Sequence, residues 1–151
     1  MFRGVSHITM DAKGRLAMPA KYRDRLEESC AGHLVATIDI QSQSLSIYPL
    51  PAWEVIEQEI QELPSLDARV KRFQRLIIGH ASDLELDGSG RVLMPQPLRE
   101  YAKLEKKLVL VGQGKKLELW NEALWAVETD KWLQQAQDEE SIPDEMLSLS
   151  L

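Results

Sequence analysis

The sequence predicts an α+β fold made of two tandem copies of one β-rich unit, each closed by an amphipathic helix. Three observations carry that expectation. First, Asp11-Ala12-Lys13-Gly14-Arg15-Leu16-Ala17-Met18-Pro19 aligns with Asp87-Gly88-Ser89-Gly90-Arg91-Val92-Leu93-Met94-Pro95 at an offset of 76, with five identities in nine positions. Second, the match continues across two short deletions. Leu34-Val35 answers Leu108-Val109 at offset 74, and Leu45, Tyr48 and Trp53 answer Leu117, Trp120 and Trp125 at offset 72. Third, apolar residues alternate ahead of each turn and recur at helical spacing near the end of each copy.

Each element follows in order. Val5, Ile8 and Met10, with one slip, and Leu84 and Leu86 mark extended segments, each leading through a turn into a short strand that ends at proline. Pro19 and Pro95 suit the first position of a short helix, where a missing N–H costs nothing. Tyr22 and Leu26, and Leu98, Tyr101 and Ala102, give those helices an apolar side. Strands are expected near 34–40 and 45–48, and again near 107–111 and 116–120. Helices over 51–63 and 122–137 close the copies, the first with Trp53, Ile56, Ile60 and Leu63 on one stripe, the second with Leu124, Trp125, Val127, Trp132 and Leu133 less strictly aligned. Between the copies, 65–79 reads as a linking helix with Val70, Phe73, Leu76 and Ile77 inward, Arg69, Arg72 and Arg75 on another side, and Gly79 as its cap. The expected organisation is therefore 1–64, a link over 65–79, a second copy over 80–137, and an acidic tail over 138–151 that is mobile or serves for docking.

Composition narrows the function classes. The chain has 151 residues, 44% of them apolar and 28% charged, enough to bury a core. One cysteine, Cys30, excludes an intrachain disulfide and any multi-cysteine zinc site. No apolar stretch approaches a membrane span, and Met1-Phe2-Arg3-Gly4 lacks the order of a signal peptide, so a cytoplasmic protein is expected. The net charge of −6 argues against nucleic acid only on average. Residues 1–25 carry six Lys/Arg against two acids and 99–116 six against two, whereas 26–64 carry seven acids and no Lys/Arg, and 117–151 nine acids against one base. Local distribution, not the total, sets the field that a phosphate feels.

The repeated Asp-x-x-Gly-Arg turn holds the most chemical information. Gly14 and Gly90 permit positive φ, and Asp11 and Asp87 can accept backbone N–H groups or hold the arginine four residues on. The product is a rigid loop that presents Arg15 in one copy and Arg91 in the other. A guanidinium offers planar paired donors that match phosphate or the O6/N7 edge of guanine. Lys13 adds a charge to the first turn where Ser89 stands in the second, so the two should contribute unequally. The same pattern also describes a simple loop lock, since an exposed Asp–Arg pair is worth only ~0–1 kcal/mol. The pattern alone leaves both readings open.

Other candidate chemistry is sparse. His7, His33 and His80 have no metal-ligand spacing and read as strand or turn residues, Cys30 does not read as a nucleophile, and no serine sits in a Gly-x-Ser-x-Gly elbow. Gly112-Gln113-Gly114 reads as a strand connection, the tryptophans as core or interface residues, and the Arg69/Arg72/Arg75 face as solvated or in subunit contact. No catalytic residue, cofactor, metal or small-molecule ligand is expected.

Met1-Phe2-Arg3-Gly4, the two turns, the Arg75-Leu76-Ile77-Ile78-Gly79 link, the two strand-to-tryptophan helices and the Met146–Leu151 ending together resemble the MraZ family of bacterial transcriptional regulators. The resemblance runs from residue 1 to about 137. It implies two AbrB-like (SpoVT-AbrB) units with interlocked swapped-hairpin β-barrel halves, assembly into a ring, and binding to repeated elements in the promoter of the division and cell-wall gene cluster, at the nucleoid. It also implies that Arg15 and Arg91 touch double-stranded DNA, with Lys13 beside the first, while Asp11, Gly14, Asp87 and Gly90 orient the turns. The alternative is a ring-forming scaffold for protein partners whose arginines only lock loops. One turn binds DNA weakly, because each neutralised phosphate contributes only through counterion release, but a closed homo-oligomer repeats the contact and gains avidity on repeated sites.

Overall fold

The computed structural model describes residues 1–138 and 142–151 and divides into two compact units, Met1–Asn121 and Glu122–Leu151. In the first unit, alternation sets which side of each strand faces inward. Along β1 (Phe2–Thr9), Phe2 is buried and Ile8 partly so, whereas Val5 is half exposed. The slip in the sequence pattern is therefore Val5 pointing outward, not a bulge, and β1 runs in unbroken register beside β7 (Lys107–Gly114), from Phe2↔Gly114 to Thr9↔Lys107.

The remaining strands are β2 (Arg15–Ala17), β3 (His33–Ile38), β4 (Leu45–Pro49), β5 (Ser82–Glu85), β6 (Arg91–Leu93) and β8 (Lys116–Asn121). Six of the eight described strands form an antiparallel sheet in the order β1-β7-β8-β4-β3-β5, and β2 pairs with β6 as a separate antiparallel ribbon. Exchanging the copies (β1 for β5, β2 for β6, β3 for β7, β4 for β8) turns the sheet order into its own reverse. Each copy's first strand pairs with the other copy's third, and β4–β8 and β2–β6 are the self-matching pairs at the pseudo-twofold centre. This is the duplicated AbrB-like α+β fold, with the copies exchanging strands inside one sheet.

Helices cover the sheet. α1 (Ala20–Cys30), α2 (Leu50–Gln61) and α3 (Ala68–Ile77) all pack on β3, as does α4 (Gln96–Tyr101). Pro19 and Pro95 are the N-caps of α1 and α4, one position ahead of the expected N1. α1 ends at Ala31 in the left-handed conformation, φ 53°, with Ala31 N–H donating to Glu27 O and Gly32 N–H to Leu26 O. α2 ends before Leu63, which is 40% exposed and lies off the buried stripe of Trp53 and Ile60. α3 is capped at its start by Asp67 and at its end by Ile78 rather than Gly79. Gly112-Gln113-Gly114 lies within β7, and the hairpin turns at Lys115 instead. β3 stops at Ile38 because the Asp39 side chain accepts from Gln41 N–H and bends the chain.

The core lies between the sheet, the helices and the inner side of the ribbon. Leu16, Met18, Val92 and Met94 of the ribbon segments are at most 1% exposed and join Leu34, Leu45, Leu108 and Leu119 of the sheet. At about 1.5–3 kcal/mol for each large apolar side chain removed from water, these residues hold the ribbon in a fixed place. In the second unit, α5 (Glu122–Ala136) buries no residue fully. Val127, Trp132 and Leu133 are exposed, and Trp125 meets Trp132 edge-on with centroids 5.8 Å apart. A short helix, α6 (Asp144–Leu147), follows.

Candidate nucleic-acid interface

The two turns are built alike from backbone hydrogen bonds. Asp11 N–H donates to Arg15 O at 2.9 Å and Gly14 N–H to Asp11 O at 3.0 Å; Asp87 N–H donates to Arg91 O at 2.9 Å and Gly90 N–H to Asp87 O at 3.0 Å. Gly14 and Gly90 have φ of 91° and 75°, in the region that favours glycine. Within each loop one carboxylate oxygen serves two amides. Asp11 Oδ1 accepts from Lys13 N–H and Arg15 N–H at 3.0 and 2.9 Å, and Asp87 Oδ1 accepts from Ser89 N–H and Arg91 N–H at 2.8 and 2.9 Å. These backbone bonds, the Arg15 and Arg91 amides first, hold both carboxyls below the usual carboxylate range.

The second oxygens differ. Asp11 Oδ2 accepts from Arg15 Nε at 3.0 Å, whereas Arg91 Nε stands 3.5 Å from Asp87 Oδ2, an ion pair without hydrogen-bond geometry. Arg15 is thus held by its aspartate more tightly than Arg91.

The ribbon brings the two arginines together. Arg15 pairs with Leu93, Leu16 with Val92 and Ala17 with Arg91, so with a side-chain period of two Leu16 and Val92 point inward while Arg15, Ala17, Arg91 and Leu93 share the outer face. Arg15 and Arg91 are diagonal neighbours on that face, about 7–8 Å apart at the backbone. Their side chains are 35% and 39% exposed, with Lys13 and Ser89 exposed at the loop tips. Met18 N–H donates to Gly90 O and Met94 N–H to Gly14 O, both at 2.9 Å, so each turn is braced by the other copy.

Two further guanidiniums lie against these turns. Arg99 of α4 lies across Gly14, where a Cβ would stand 2.7 Å from Arg99 Cζ, and Arg23 of α1 lies across Gly90, where a Cβ would stand 2.5 Å from Arg23 Nε. Both are half buried, and Arg23 Nε donates to Met18 O at 2.7 Å. Sequence reasoning did not single out this pair, although the signal was present: Arg23 and Arg99 stand at the same offset of 76 as the turns, four residues beyond Pro19 and Pro95.

Comparison with known proteins decides the family. The family model described as "MraZ protein, putative antitoxin-like" matches residues 1–76 and again 77–146, one match for each copy. The chain belongs to the MraZ family. Three curated relatives named "Transcriptional regulator MraZ" are similar to it over 100% of both chains: one from Alkalilimnicola ehrlichii at 56% identity, one from Halorhodospira halophila at 53%, and one from Pseudomonas aeruginosa at 52%. The chain is therefore a member of a family of transcriptional regulators, which is not an enzyme class.

Within this MraZ-family chain the other weighed residues lie elsewhere. His33 Nδ1 stands 3.4 Å from Glu85, His80 Nδ1 is 2.7 Å from Leu76 O, and His7 is on β1. Among the described residues no group of three or more His, Cys, Asp or Glu could hold a metal ion. Cys30 bonds through Sγ to Leu26 O. Arg69 is tied to Asp67, and Arg72 and Arg75 are exposed along α3. No helix among the described residues is long and apolar enough to cross a membrane.

Proposed function

We propose that this protein is a sequence-specific DNA-binding transcriptional regulator of the bacterial division and cell-wall gene cluster. It engages repeated promoter elements through Arg15 and Arg91, with Lys13 beside the first, as a ring-shaped homo-oligomer at the nucleoid. The observation that carries the reading is the outer face of the β2–β6 ribbon, which presents Arg15 and Arg91 on one rigid surface. A two-stranded ribbon fits the major groove of B-form DNA, where a guanidinium pairs with guanine O6 and N7. Asp11 and Asp87 spend their oxygens on their own loops, so they aim the arginines rather than repel phosphate.

The deciding experiment is footprinting of the region upstream of the chain's own gene with wild-type protein and with Arg15→Ala plus Arg91→Ala, alongside the mass of each assembly in solution. Lost protection with unchanged mass supports the regulator. Retained protection overturns it and leaves the arginines as loop locks in a protein scaffold.

A further inference from the structure

The fold is nearly symmetric about the ribbon, but its charges are not. Met10 N–H donates to Lys106 O at 2.9 Å, and the matching Leu86 N–H donates to Gly32 O at 3.0 Å, so Lys106 and Gly32 occupy equivalent places beside the two turns. The first turn therefore has Lys13, Arg99 and Lys106 around it. At the second, Ser89 and Gly32 stand in place of the two lysines, and the Glu27 carboxylate comes within 2.9 Å of where a Gly32 Cβ would be.

At the first turn there is also a place for a ligand. A cavity of about 470 Å³ is lined by Met10, Asp11, Ala12, Arg99 and Lys106. A neighbouring cavity of about 420 Å³ shares Met10 and Arg99 and adds Lys103. Arg99 Nε is buried and has no hydrogen-bond partner among the described residues, whereas its counterpart Arg23 Nε is satisfied by Met18 O. A buried donor of this kind calls for an acceptor. Of the acids bordering the two cavities, Asp11 is engaged by Arg15, Glu100 accepts from Gln96 Nε2 at 3.0 Å, and Glu105 is exposed.

We propose that the cleft beside the first turn, bounded by Arg99 and Lys106, holds a backbone phosphate of bound DNA, and that the second turn contacts DNA without such a clamp. The inference rests on the DNA-binding reading above. The clamp gives each subunit a directed footing: a phosphate is fixed at one end of the ribbon, and the base edges lie under Arg15 and Arg91. Lys106 is exposed and Lys106→Gln removes its charge without disturbing the core.

The test titrates duplex DNA, taken from the footprinted upstream region, against wild type, Lys106→Gln, Lys131→Gln and the double Arg15→Ala/Arg91→Ala variant across a salt series. Lys131 is on α5, where it pairs with Glu128. The clamp predicts that Lys106→Gln lowers the slope of log K against log salt by about 0.9 for each engaged subunit, weakening all sequences alike, while Lys131→Gln keeps the wild-type slope. A wild-type slope in Lys106→Gln, or an equal change in Lys131→Gln, overturns the clamp, and a loss of operator binding in the double arginine variant then leaves the regulator reading standing. Operator binding that survives the double arginine variant overturns that reading and the clamp with it.

Discussion

Arg99 lies across the α-carbon of Gly14, an arginine from the second copy pressed onto the turn of the first, and Arg23 returns the contact on Gly90. Each turn is thereby shaped by a side chain encoded in the other repeat. The glycines are required twice over, by positive φ and by the guanidinium lying where a Cβ would be.

Gly14→Ala and Gly90→Ala should each destabilise the protein by about 1–3 kcal/mol from backbone strain and displace an arginine as well. Gly88→Ala is the control, because nothing lies within 4 Å of its added Cβ. Urea midpoints of the three variants check this, and a neutral Gly14→Ala would contradict the described packing.

Asp11→Asn keeps one carbonyl oxygen able to serve the Lys13 and Arg15 amides and loses only the ionic hold on Arg15 Nε. Asp11→Ala loses both. DNA affinity should fall in the order wild type, Asn, Ala, with the assembly mass unchanged throughout. Equal affinities for Asn and Ala would mean that the loop does not depend on the shared oxygen.

Both turn aspartates have folded-state pKa values below the ordinary 3.8. A depressed carboxyl contributes stability that is present above the unfolded value and is lost as pH falls through the folded one. The turns should therefore hold across the neutral range and loosen only in strong acid. Unfolding midpoints measured down a pH series should decline below about 3.8, and the decline should be shallower in Asp11→Asn/Asp87→Asn.

Arg15→Ala should weaken operator binding more than Arg91→Ala. Arg15 is fixed by a 3.0 Å bond to Asp11 and flanked by Lys13, whereas Arg91 is 3.5 Å from Asp87 and flanked by Ser89. A base contact of this type is worth about 1–3 kcal/mol, and single-variant titrations resolve the difference. Equal losses would mean that the two ends of the ribbon are used alike.

Affinity should rise steeply with the number of DNA repeats and fall strongly with salt, because linked contacts add avidity and each phosphate contact releases counterions. Titrating one-repeat against multi-repeat duplexes at two salt concentrations measures both effects. Equal affinity for the two duplexes would argue against linked contacts.

Local chemistry was legible in the residues. The Asp11–Arg15 and Asp87–Arg91 turns, the glycine positions and the alternating strands depend on neighbours a few positions away, and each appears where the spacing puts it. Helix ends moved by one to three positions. The stripe of Leu124, Trp125, Val127, Trp132 and Leu133 resembles that of a buried helix, yet α5 buries none of its residues fully, because periodicity records an apolar face without saying what covers it.

What the sequence alone determined is the duplication, the turn and the charge placed at each loop tip, since these are set by identity and short spacing. Only the tertiary structure decided that β1 pairs with β7 and β5 with β3, that Arg15 and Arg91 share one outer face, and that Arg99 and Lys106 border the first turn while Arg23 and Gly32 border the second. Strand partners are chosen by burial over the whole molecule, and an antiparallel edge carries no label for a mate a hundred residues away.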